Sequence, residues 1–320
     1  MERAGRCAAV LVASVLLAAC GGSSSGNGTA AATTTAPITV TDGTGRTVTI
    51  TSADRVIPVD GDLAEVAFAL GMGDHVVATD LSATYPPEAD ALPQIGYQRA
   101  LSAEPIAAFE PTLVLATDLA GPPEVLDELR RLGIPVVVIT PPPTVDGAID
   151  KVEQVAAALG VPERGEALAA TMRTEIDAAT ARAATFADHP KVAALYLRGG
   201  QTQLVFGKGS GIDSVIDAAG GIDVGTSLGV DDYADITAEA MIRADPDVIL
   251  VSTTGLESVG GLEGLAAVAS LAQTSAVRNG RVLAYEDQYL FGIGPRVGQL
   301  LDDLVTALHE PGAATSTPTT

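Results

Sequence analysis

One block of this sequence occurs twice. The first copy runs from Ser102 to Leu115 and reads Ser-Ala-Glu-Pro-Ile-Ala-Ala-Phe-Glu-Pro-Thr-Leu-Val-Leu. The second runs from Thr237 to Leu250 and reads Thr-Ala-Glu-Ala-Met-Ile-Arg-Ala-Asp-Pro-Asp-Val-Ile-Leu. Ser102 and Thr237 suit helix N-caps, with Glu104 and Glu239 in the first turn, where the helix dipole favours an acid. Pro111 and Pro246 end each helix and lead into an apolar strand. Tyr97 lies just upstream of the first copy and Tyr233 just upstream of the second. The duplication predicts two similar lobes, each presenting a tyrosine and then a glutamate: a molecule that closes over a ligand and offers matched acids to a partner. Ordinary helix-start chemistry explains either glutamate equally well taken alone.

The ends of the chain speak to its compartment. Arg3 and Arg6 precede an apolar stretch, Ala8 to Leu17, and then Leu17-Ala18-Ala19-Cys20. A basic start, a short apolar core and small residues describe a secretory leader, too short for a membrane span of about 20 residues. Placed there, Cys20 is expected to be lipidated and to become the new N-terminus, anchoring the protein to a membrane. Cys7 leaves with the leader, so the folded part has no disulfide. A Gly/Ser and Ala/Thr run follows to Ala36 and reads as a tether. A formal charge of -22 excludes a nucleic-acid partner, because no basic stripe is present to neutralise phosphates.

Between the ends, short apolar runs alternate with helical patterns. Val56–Val59, Val76–Thr79, Leu113–Ala116, Pro135–Ile139, Val192–Leu197 and Val282–Ala284 read as strands. Leu63–Leu70, Pro123–Leu132, Ile212–Ala219 and Pro295–Leu308 read as helices. Apolar strands alternating with helices imply parallel sheets covered on both faces. From Val145 to Ala187 there is no strand signal. Ala148, Val152, Val155 and Leu159 recur at helical spacing, and Gly160 and Pro162 break and restart the helix. This segment reads as a rigid connector between lobes, with an antiparallel helix pair as the alternative. The expected fold is α/β, two Rossmann-like lobes with mostly parallel sheets joined by a long helix and a ligand cleft between them. Its divisions are a leader (1–19), tether (20–36), N-terminal lobe (37–144), connecting helices (145–187), C-terminal lobe (188–309) and a disordered tail (310–320). In such sheets ligands bind outside one edge of the strands. That places Tyr97 and Tyr233 facing the crevice and the two glutamates on its rim.

With these features the chain resembles the substrate-binding lipoproteins of ABC importers that carry haem, ferric siderophores and vitamin B12. The resemblance covers nearly the whole mature chain. It rests on Gly96-Tyr-Gln-Arg-Ala-Leu-Ser-Ala-Glu104, Gly121-Pro-Pro-Glu-Val-Leu126, Gly207-Lys-Gly-Ser-Gly211, Ala219-Gly-Gly221 and Gly294-Pro-Arg296. It implies that Glu104 and Glu239 dock onto arginines of the permease. Tyr97-Gln98-Arg99 looks like the Tyr-x-Arg motif of the haem-uptake branch, which implies that the Tyr97 phenolate binds ferric iron. A free phenol ionises only near pH 10, so a hydrogen bond from Arg99 is expected to favour the charged form. Tyr233 matches by position and is a second expected ligand, although Ala234 and Asp235 supply no Tyr-x-Arg pair. His75, His189 and His309 read as surface residues. Arg198, Lys208 and Arg296 lie in segments that match the family's and are expected to meet haem propionates, and the Gly207–Gly211 turn to offer backbone amides to the ligand.

Other classes fit less well. A ferric siderophore or corrinoid is the main alternative cargo, disfavoured by the absence of tryptophan and the few basic residues. No His/Asp/Cys cluster has metal-ligand spacing. No Gly-x-Ser-x-Gly elbow or ordered Ser/His/Asp set points to an enzyme.

Overall fold

The computed structural model describes residues 37–310. The leader, Cys20, the tether and residues 311–320 lie outside the described residues. The chain enters through an antiparallel hairpin, β1 (Ile38–Thr41) and β2 (Thr47–Ile50). Asp42 closes it, one carboxylate oxygen accepting from Thr44 N (2.9 Å), Thr44 Oγ1 (2.7 Å) and Arg46 N (2.9 Å).

The N-terminal sheet is parallel: β3 (Val56–Pro58), β4 (Leu113–Thr117) and β5 (Val136–Ile139), in that order. Every residue of these strands is buried, as a sheet covered on both faces requires. Val76–Thr79 does not form the strand expected from its sequence. Val77 N donates to Val56 O while Thr79 N donates to Pro93 O on the other side. The segment therefore makes single bridges to Val56 and Gln94 rather than a ladder.

The second sheet contains β6 (Lys191–Arg198), β7 (Thr202–Phe206), β8 (Ile222–Asp223), β9 (Tyr233–Asp235), β10 (Val248–Ser252) and β11 (Val282–Tyr285). Its order is β11-β10-β6-β7-β9, with β8 on the first residues of β6. β6, β8, β10 and β11 run parallel, whereas β7 and β9 form an antiparallel extension.

The connector is a helix pair. The first helix, Val145–Leu159, is capped by the Thr144 hydroxyl and ends at Gly160 in the left-handed region (φ 75°). Pro162 then starts a 22-residue helix to Ala183, about 33 Å long. The two pack side by side in opposite directions. At Gly165 any Cβ would meet Ala156 Cβ at 2.4 Å, so glycine sets how closely they approach. The first helix packs on β5 and the Gly61–Ala69 helix; the second packs on the closing helix, Val297–His309. One buried apolar cluster consequently runs from Ile50 and Leu63 through Val152 and Met172 to Leu250 and Leu304. Separate clusters fill the outer side of each sheet. His309, expected at the surface, has a fully buried side chain; its ring stacks on Phe186 at 4.6 Å and its Nε2 lies 3.0 Å from Ala219 O.

Candidate functional site

The repeated blocks fold alike. Each begins at its hydroxyl residue, with helices at Ala103–Ala107 and Ala238–Ala244. Each acid before proline, Glu110 and Asp245, sits at positive φ (48° and 44°), turning the chain from helix into strand. A cation at the start of each lobe's first strand binds the carbonyls at that helix end. Arg55 Nε donates to Phe109 O and Glu110 O (both 3.1 Å), and Lys191 Nζ donates to Ala244 O (2.6 Å). Glu104 and Glu239 are both exposed in their first turns. Glu239 has a loose pair with Arg243 at 3.6 Å.

The two tyrosines are placed differently. Tyr97 precedes a 3₁₀ turn, Gln98–Ala100, whose backbone is tied at several points. Leu81 N donates to Gly96 O, Gly121 N to Gln98 O and Leu101 N to Gly121 O, at 2.8–2.9 Å. Gln98 is buried, while Tyr97 is 42% exposed and Arg99 is exposed. Neither the Tyr97 hydroxyl nor the Arg99 guanidinium has a hydrogen bond among the described residues, so the expected Arg99–Tyr97 bond is not formed. Tyr233 is 51% exposed, but it opens β9 and pairs with Phe206 on β7. It stands on an edge strand, not on a turn. Lys208 lies exposed at the same end, bridged to Asp231 through the backbone. The Gly207–Gly211 amides are not free for a ligand. Gly209 N and Gly211 N both donate to Asp213 (2.8 and 2.9 Å), and Gly207 N and Lys208 N bond to Asp232 and Val230.

Arg198 and Arg296 already have partners. Arg198 pairs with Asp287 at 2.5 Å and lies over the Tyr196 ring. Arg296 grips Glu65 with two bonds (2.7 and 2.9 Å) and stacks on Tyr85 at 3.7 Å. They belong to a polar seam between the Gly61–Ala69 helix and residues 286–296. Gln288 is its centre: its amide nitrogen donates to Gly61 O, Glu65 Oε2 and Tyr85 O, and its oxygen accepts from Thr84 N and Tyr85 N. Lys151, from the first connecting helix, is paired with Asp62 and also donates to Gly292 O at 2.9 Å. Sequence reasoning missed this seam. The available signal was Asp62 and Glu65 inside an otherwise apolar helix, since buried charge demands a partner. Nearby, burial pushes the Asp60 carboxyl well above its ordinary range, with the charges of Asp62 and Asp80 adding to it. No group of three His, Cys, Asp or Glu suited to a metal ion is found among the described residues.

A periplasmic binding protein family model matches residues 56–305. The chain belongs to that family. Among solved structures, the periplasmic heme-binding protein RhuT from Roseiflexus sp. RS-1 is 47% identical, covers 80% of this chain and 98% of its own, and superposes with a TM-score of 0.79. A periplasmic heme-binding protein from Pseudomonas aeruginosa is 31% identical, with coverage of 83% and 96% and a TM-score of 0.75. A vitamin B12-binding protein of Vibrio cholerae is 25% identical over 256 residues, 80% of this chain and 89% of that one. This periplasmic binding protein is thus the substrate-binding component of an importer in the haem, siderophore and B12 group. Its family binds and delivers ligands and is not enzymatic, in line with the sequence reading. No helix among the described residues is long and apolar enough to cross a membrane.

Proposed function

We propose that this protein, lipid-anchored through Cys20, captures ferric haem with the Tyr97 phenolate on the iron and delivers it to the transmembrane subunits of an ABC importer. The observation that carries the reading is the Tyr97-Gln98-Arg99 turn. Its backbone is fixed and Gln98 is buried, while its phenol and guanidinium are exposed and have no hydrogen-bond partner among the described residues. A hard anionic oxygen suits Fe(III), and an unspent arginine two residues away can favour the ionised phenol once iron arrives. The heme-binding relatives of 31% and 47% identity support haem as the cargo.

The expected contacts now separate. Lys208 makes no ion pair among the described residues and is placed to meet a propionate, beside Tyr233 as a second ligand. Arg198 and Arg296 would first have to leave Asp287 and Glu65, so their part is to shape the seam behind the cleft. Glu104 and Glu239 remain as the acids that meet permease arginines. A second reading, cobalamin or a ferric siderophore, is favoured by the B12-binding relative. Competition decides between them: the protein is titrated with hemin, cyanocobalamin and a ferric catecholate while tyrosine emission is followed. Saturable quenching by hemin, resistant to the other two, is expected. Saturation by cobalamin with no hemin response would overturn the haem assignment.

A further inference from the structure

Behind the polar seam lies a cavity of about 1060 Å³ that Tyr97, Arg99, Lys208 and Tyr233 do not line. Its walls come from residues 84–90, the Pro162–Ala183 helix, the end of β11 and the closing helix. Asp90, Glu175, Glu286 and Asp303 line it with no ion-pair partner among the described residues, and Asp302 is held by Arg182 at 3.2 Å. The single cation in the wall, Arg296, is already neutralised by Glu65.

A second observation points to a ligand. Tyr285 lines the cavity and is only 8% exposed, yet its hydroxyl makes no hydrogen bond among the described residues. Its neighbour Tyr289 uses its own hydroxyl on Asp303 (2.9 Å). Burial, with the Asp303 charge adding to it, raises the Tyr285 phenol and keeps it neutral; the neighbouring carboxylates of Asp303 and Glu286 accept hydrogen bonds from Tyr289, Thr84 and Gln288 but have no cation among the described residues. The hydroxyl opens onto the cavity, where water or a ligand completes its hydrogen bonds. Dianionic haem would be repelled here, and a compact metal ion lacks a converging ligand set. Carboxylates beside an aromatic wall suit an organic ammonium ion, which needs both charge and apolar contact.

We propose that this cavity is a second ligand site, taking an organic ammonium ion of the polyamine class, with Tyr285 accepting an N–H bond and Asp303 and Glu175 pairing the charge. The full chain is titrated calorimetrically with spermidine, and separately with MgCl2 at matched ionic strength. Saturable one-site binding of spermidine alone is expected. Tyr285→Phe should weaken it about tenfold and Asp303→Asn by at least that, roughly 1.4 kcal/mol each, with hemin binding and Tm unchanged for Tyr285→Phe. Glu163→Gln, an exposed charge outside the cavity, should leave affinity unaltered. An equal response to Mg²⁺, absence of saturation, or an unaffected Tyr285→Phe variant would reduce the effect to counterions around a chain of charge -22 and overturn the site. Hemin titration of the same sample reports on the cargo reading separately.

Discussion

The two lobes share one sequence block and place the tyrosine before it differently. Each places an exposed glutamate in the first helical turn, an acid at positive φ before proline, and a cation on the carbonyls at that helix end. Each then continues into buried parallel strands. Upstream of the block the similarity stops. Tyr97 projects from a 3₁₀ turn pinned by Gln98, whereas Tyr233 belongs to the antiparallel extension β7–β9, which the N-terminal lobe does not have. The repeat therefore specifies the scaffold and the two exposed glutamates, and the segment preceding it decides how each lobe presents its tyrosine. The lobes also differ in charge at the strand ends. Asp60, Asp62 and Asp80 crowd together in the N-terminal lobe, with Lys151 reaching in from the connector.

The largest effect should come where the lobes are joined. Lys151→Met leaves the Asp62 carboxylate buried and unpaired and removes the bonds to Gly292 and Ile293. A loss of about 3–5 kcal/mol is expected, read as a lower urea midpoint. A loss below 1 kcal/mol would mean that the seam does not hold the halves together. The rim acids come next. Glu104→Lys and Glu239→Lys should each slow delivery to the permease about tenfold in a vesicle uptake assay, with haem affinity unchanged, since rim charges act mainly on encounter. Unequal effects would show that the two lobes do not dock equivalently.

Helix starts offer a smaller contrast. The Thr237 hydroxyl accepts from Ala240 N, but Ser102 makes no such bond. Thr237→Ala should cost about 1 kcal/mol and Ser102→Ala only a few tenths, by thermal melts of both variants. The last test is one of slope. The folded pKa of Asp60 is raised, so the folded state holds more protons than the unfolded state between about pH 3.9 and that raised value. Its contribution to stability therefore falls as pH rises through this window. Asp60→Asn should raise Tm at pH 7 and flatten that slope. An unchanged profile would mean that Asp60 carries no such burden.

Much of the architecture was legible because it is written in apolar runs and punctuation. β4, β5, β6, β10 and β11 each contain an apolar run of at least four residues, and Gly160 and Pro162 mark the connector's turn within one or two residues. What could not be read depends on partners far apart in the chain. Gln288 reaches Gly61, Glu65 and Tyr85 across more than two hundred residues, and nothing local announces it. Arg198 and Arg296 read as propionate partners, but the carboxylates that hold them, Asp287 and Glu65, stand on other elements. The Gly207–Gly211 turn reads as available for a ligand, yet Asp213, Val230 and Asp232 take its amides. Val76–Thr79 has strand composition, yet its hydrogen bonds divide between two neighbours. Tyr97 can be singled out as a candidate because its signal is local, a phenol and an arginine in one turn.

The comparison of the two tyrosines is tested most directly by the hemin complexes of Tyr97→Phe and Tyr233→Phe. The Soret and charge-transfer bands are recorded beside those of the unaltered protein. Tyr97→Phe should lose the phenolate charge-transfer band and about 100-fold in affinity, near 2.7 kcal/mol, whereas Tyr233→Phe should keep the band with a smaller loss. A Tyr97→Phe complex with unchanged bands and affinity would contradict the assignment of the iron to the N-terminal lobe.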